Sequence, residues 1–85
     1  MLKRIPHGHR EALLKLLKDV RVEKHLIQTD LARRLDRPQN FVSLYERGVR
    51  RLDVLELREV CKALGIGLAS FIRRLERRLD RKSVV

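Results

Sequence analysis

The sequence predicts an all-α fold of five short helices, on three observations. Apolar residues recur at three- and four-residue spacing along most of the chain, and no segment alternates at the two-residue period of a strand. The gaps between periodic segments hold helix start and stop residues rather than linkers or repeats. Length agrees, since 85 residues suffice for one core only, and a hydrophobic content of 44% separates the chain from a disordered basic tail.

The elements follow in order. Residues 1–9 hold Pro6 and Gly8 among basic and histidine residues, with too little apolar surface to pack, and read as a flexible basic arm. From Arg10 to Lys24, Leu13, Leu16, Leu17 and Val20 form one face and Lys15, Lys18 and Asp19 the other, giving a first amphipathic helix. Gln28 to Leu35 makes a short second helix with Leu31, Ala32 and Leu35 inward and Asp30 in the first turn, where the helix dipole favours negative charge. A third helix begins at about Pro38 or Gln39 and ends at Gly48, the residue suited to a left-handed cap. Asp53 and Glu56 make a capping box for the fourth, Leu52 and Leu57 staple its start, and Gly65 closes it. Leu57, Val60, Cys61 and Leu64 are its apolar stripe. A last helix from Leu68 shows Leu68, Phe71, Ile72, Leu75 and Leu79 on one side, with Arg73, Arg74, Arg77 and Arg78 largely on the other. The helical domain is thus expected over residues 10–79, with a tail at 80–85 that includes Val84 and Val85.

Charge narrows the function. Lys and Arg number 21 against 11 Asp and Glu, a net charge of +10, and most of the excess lies in residues 1–52. Such a surface seeks a polyanion. With no Trp, two Phe and one Tyr, base stacking on aromatic platforms lacks material. The single Cys61 excludes an internal disulfide and a multi-cysteine zinc site and reads as a small core residue, while His7 and His9 are too few ligands for a metal. No segment carries a phosphate-cradling glycine loop or a nucleophile elbow, and the scattered carboxylates are explained by ion pairing. Neither an enzyme nor a cofactor or small-molecule ligand is expected, nor a membrane partner, since no apolar run approaches a span or a signal peptide. A cytoplasmic protein is the natural reading.

Two short helices joined by a tight turn, with small Ala32 in the first, have the form of a helix-turn-helix. At 100° per residue, Val42 and Tyr45 point inward with Phe41 at their margin, while Asn40, Ser43, Leu44 and Arg47 point out. Asn can bond an adenine edge bidentately, Ser a base or phosphate, and Leu can meet a thymine methyl.

Over residues 10–75 the chain resembles the XRE helix-turn-helix family, the domain type of the lambda repressor and Cro. The resemblance rests on L-I-Q-T-D-L-A-R-R-L-D-R-P-Q-N-F-V-S-L-Y-E-R-G from Leu26 to Gly48, then R-R-L-D, then A-L-G at 63–65. It implies a compact lambda-repressor-like fold and a sequence-specific DNA-binding transcriptional regulator, most simply a repressor. Base readers would be Gln39, Asn40, Ser43 and Leu44. Phosphate contacts would fall to Gln28, Arg37, Arg47, Arg50 and Arg51; a solvated loop is the plainer reading of the last three. Gln28 would also help to lock the third helix, and Arg21 with Glu46 would form a structural ion pair. The chain departs from the family's pattern at Ile27, which cannot cap the second helix with its side chain, and at His25 and Asp36, where the family has glycine. It departs again at Leu44, where the family commonly has Lys or another polar residue.

One reading helix touches few base pairs, so a homodimer on a palindromic site is expected. Phe71, Ile72, Leu75 and Leu79 are its candidate interface; the alternative is that they close the core. Two other functions stay open: the DNA-binding antitoxin of a toxin–antitoxin pair, and a basic helical module that binds RNA or an anionic membrane without sequence preference. The tail arginines are a solvated face or a distal DNA contact, and Lys3 and Arg4 either a groove-reaching arm or a disordered terminus.

Overall fold

A computed structural model describes residues 6–83, which form five helices: α1 (His7–Glu23), α2 (Gln28–Arg34), α3 (Gln39–Glu46), α4 (Val54–Leu64) and α5 (Leu68–Ser83). Lys3, Arg4, Val84 and Val85 lie outside the described residues. Helices α2 and α3 pack on each other and lean on α1 and α4, while α5 lies against α1 and α4. The core they enclose is Leu16, Leu17 and Val20 of α1, Leu31 and Ala32 of α2, Phe41, Val42 and Tyr45 of α3, Val60, Cys61 and Leu64 of α4, and Phe71 of α5. Burial pushes the Cys61 thiol up to about 11, which keeps it a neutral apolar filler.

The first four helices stop in the same way. In each, a left-handed residue follows the last turn, at His25 (φ 58), Asp36 (φ 55), Gly48 (φ 78) and Gly65 (φ 77). Paired backbone bonds reach back from there: His25 N to Val22 O and Leu26 N to Arg21 O, Asp36 N to Arg33 O and Arg37 N to Ala32 O, Gly48 N to Tyr45 O and Val49 N to Leu44 O, Gly65 N to Lys62 O and Ile66 N to Cys61 O. These are Schellman terminations, and two of them put a side chain where glycine is the strain-free choice.

Helix starts differ more. Asp53 Oδ1 accepts from Glu56 N at 2.7 Å and Glu56 Oε1 from Asp53 N at 3.0 Å, the reciprocal box expected for α4. At α2 only half of that device exists, because Ile27 has no side-chain acceptor; Asp30 Oδ2 still accepts from Ile27 N at 3.1 Å.

Both chain ends carry more helix than expected. Helix α1 begins at His7, so residues 7–9 are its first turn rather than part of an arm: Pro6 fits the N-cap, His9 N bonds Pro6 O, and buried Ala12 seats the turn. Helix α5 continues through residues 80–83, which were expected as tail.

Phe71 corrects the expected dimer stripe. It is fully buried inside one chain, and Leu75 packs against the same core. Only Ile72 of that set is exposed. Two of the tail arginines are engaged within the chain: Arg74 makes a two-point bond to Glu23 at 2.8 and 3.1 Å, and Arg78 bonds Asp19 at 2.9 Å, tying α5 to α1.

Candidate nucleic-acid interface

Helix α3 is split lengthwise. Phe41, Val42 and Tyr45 are buried, whereas Gln39, Asn40 and Arg47 are exposed and Ser43 and Leu44 half-exposed. The Tyr45 ring meets Phe41 edge-on at 5.6 Å. The Tyr45 hydroxyl is buried without a hydrogen-bond partner among the described residues, and burial pushes its ionisation well above the ordinary tyrosine range.

A chain of polar contacts fixes this face in rotation. Arg21 of α1 donates through Nε and Nη2 to both carboxylate oxygens of Glu46, at 2.7 and 3.0 Å, and through Nη1 to Leu26 O at 2.8 Å. The hydrogen bonds it donates to Glu46 raise the Arg21 pKa above the ordinary arginine value. Gln28 Nε2 donates to the same Glu46 at 3.0 Å, and Gln39 Nε2 donates to Gln28 Oε1 at 3.1 Å. Three helices are thereby linked through one carboxylate. Gln28, expected at a phosphate, lies inside this network with one amide hydrogen to spare; Gln39 keeps its carbonyl oxygen and one amide hydrogen for a base edge. From α1, Arg10 Nη2 also donates to Gly48 O at 3.0 Å, anchoring the end of α3.

The basic residues around α3 divide into two kinds. Among the described residues Arg47 bonds its own helix, through Nε to Ser43 O at 3.3 Å, and Arg51 is exposed. Arg50 is engaged: Nη1 donates to Arg51 O at 2.9 Å and Nη2 to Glu56 Oε2 at 2.7 Å. Arg37 approaches the same Glu56 oxygen at 3.9 Å. Both guanidinium groups also lie over the Phe41 ring, at 4.5 Å for Arg37 and 4.8 Å for Arg50. Held first by Arg50 and then by the Asp53 backbone N–H, the Glu56 carboxyl is lowered to about 2.

Glu56 is the residue that sequence reasoning missed. It read as one half of a capping box, which it is, and its second oxygen carried no local signal because its partners come from outside α4. Phe41 likewise read as a margin residue rather than a platform for two cations.

Among the described residues no group of three or more His, Cys, Asp or Glu could hold a metal, and no helix is long and apolar enough to cross a membrane. The apolar face of α5, which an interfacial helix would need free, is occupied by the core through Phe71 and Leu75.

A short helix pair whose second member shows an outward polar face, locked from behind and rimmed by arginines, defines a helix-turn-helix of the nucleic-acid-reading class. The helix-turn-helix family profile matches residues 17–71. Among solved structures, an XRE-family like protein from Pseudomonas syringae pv. tomato str. DC3000 is 40% identical over 82% of this chain and 85% of that one, with a TM-score of 0.78. The wild-type restriction-modification controller protein C.Esp1396I is 24% identical over 87% of this chain and 95% of that one, with a TM-score of 0.79. The C.Esp1396I tetramer in complex with its natural 35 base-pair operator is 25% identical over 86% and 96%, with a TM-score of 0.77. No curated protein matches the chain. The chain belongs to the XRE family of helix-turn-helix proteins, which are DNA-binding transcription regulators.

Proposed function

We propose that the protein inserts α3 into the major groove of a palindromic operator as a homodimer and represses by occupying that site. The observation that carries the reading is the network from Arg21 through Glu46 and Gln28 to Gln39, which fixes the rotation of α3 so that Asn40, Ser43 and Leu44 face away from the core. Reading bases requires this, because a bidentate contact tolerates little rotational slack. Gln39 and Asn40 would bond base edges, Ser43 a base or phosphate, and Leu44 would meet a thymine methyl. Gln28, Arg37, Arg47, Arg50 and Arg51 would supply backbone contacts, which position the domain without choosing a sequence.

The operator-bound C.Esp1396I tetramer supports an assembly on DNA. Two-fold pairing would place the reading helices about 34–36 Å apart, one helical turn of duplex. On α5, Ile72 is exposed and Leu79 half-buried, and these outer positions are what that stripe leaves for a partner chain once Phe71 belongs to the core.

Selection from random duplex DNA at physiological salt, with the mass of the complex measured on the selected site, tests the reading. A palindromic consensus bound by two copies is the expected outcome. Equal binding to every sequence, or to none, would overturn it.

A further inference from the structure

Arg37 immediately precedes the proline that opens α3, and Arg50 lies two residues beyond the glycine that ends it. Although they bracket the helix in the chain, both are gathered onto the Phe41 ring, and both turn toward the same Glu56 oxygen, Arg50 at 2.7 Å and Arg37 at 3.9 Å. A carboxylate that meets guanidinium groups in this way offers what a phosphate offers, paired negative oxygens for N–H donors.

We propose that Glu56 is an internal stand-in for DNA phosphate: it competes with the duplex for Arg37 and Arg50 and so lowers affinity for DNA of any sequence. The inference rests on the docking of α3 argued above. Its physical basis is that a non-cognate duplex binds through phosphate contacts alone, so any cation already neutralised within the protein contributes less there. Cognate DNA adds base contacts from α3, which can offset the loss of the Glu56 bonds. Glu56 is therefore a specificity-determining residue that need not touch a base.

The two carboxylate oxygens of Glu56 have separate tasks, which makes the test clean. Oε1 accepts from Asp53 N and Oε2 from Arg50. In Glu56→Gln the amide oxygen can keep the helix start, as glutamine serves in this box as well as glutamate does. Its amide nitrogen gives the arginines nothing to bond.

Affinity of the full chain for a pool of random-sequence duplexes, measured across a salt series, reads the effect. The Glu56→Gln variant should bind the pool roughly three- to tenfold more tightly, with a salt slope steeper by about one. In an Arg37→Gln/Arg50→Gln background the same substitution should gain little, because the released cations are gone. A full gain in that background would show only a general charge effect and would overturn the proposal. Unchanged or weaker binding by Glu56→Gln would overturn it too, the latter by showing that the carboxylate orients the arginines for phosphate. Wild-type protein that binds no duplex at all would instead remove the docking reading beneath it.

Discussion

Two arginine–glutamate pairs lie at or beside α3, Arg21–Glu46 ending in the helix and Arg50–Glu56 joining the loop after it to α4, and what separates them is water. In the Arg21–Glu46 pair the side chains are 10% and 4% exposed; in the Arg50–Glu56 pair they are 37% and 20% exposed. Both close at 2.7 Å. Distance therefore says little about their worth. A desolvated pair leaves an unpaired buried charge when one partner is removed, whereas a solvated pair returns its ions to water at little loss. The same chemistry is buried in one pair and partly open to solvent in the other.

The largest effect should come from breaking the buried pair. Arg21→Ala strands the Glu46 carboxylate and the Leu26 carbonyl and is expected to destabilise by about 3–5 kcal/mol in denaturant unfolding. Arg50→Ala, by contrast, should leave the denaturant midpoint close to that of the wild type. Equal losses from the two would erase the contrast.

Next in size is a change that leaves both pairs intact. Asn40→Ala removes an exposed side chain of α3, so stability should hold while operator binding weakens by about 1–3 kcal/mol, with relaxed preference at one position of each half-site. Binding-site selection with the variant reads this directly.

Tyr45→Phe probes the ground between the pairs. Its hydroxyl is buried with no partner among the described residues, so deleting it should stabilise the chain by about 1 kcal/mol, seen as a Tm a few degrees higher. Asp36→Gly should stabilise by about 0.5–1 kcal/mol. It relieves a left-handed side chain at φ 55, a gain partly offset by the looser unfolded chain of glycine.

The smallest effect sharpens the solvated pair through pH. Glu56 titrates at about 2 in the fold against 4.5 as a free side chain. A depressed carboxylate stabilises the fold above its unfolded value, and that share is lost as pH falls from about 4.5 toward 2. Acid titration of stability should be flatter over this window in Glu56→Gln than in the wild type.

How much of this was legible depends on how far along the chain the cause lies. The Asp53–Glu56 box, the Gly48 and Gly65 stops and the inward turn of Val42 and Tyr45 involve residues within one or two turns of each other, and periodicity exposes them. The start of α1 was misplaced because its first turn is seated by Ala12 and by an Arg10 bond to Gly48, 38 residues on. Phe71 looked available for a partner because a helical stripe shows which face is apolar and never which neighbour covers it.

The sequence by itself therefore determined five helices, the α4 capping box, the glycine stops of α3 and α4 and the outward face of α3, since local backbone geometry and side-chain period are encoded within a few residues. Tertiary structure decided which arginines are paired with carboxylates. Arg50 found its carboxylate six residues away and Arg78 found one 59 residues away, and nothing in the intervening chain marks either pairing. Long, flexible cationic side chains choose partners by proximity in space, and packing alone sets that proximity.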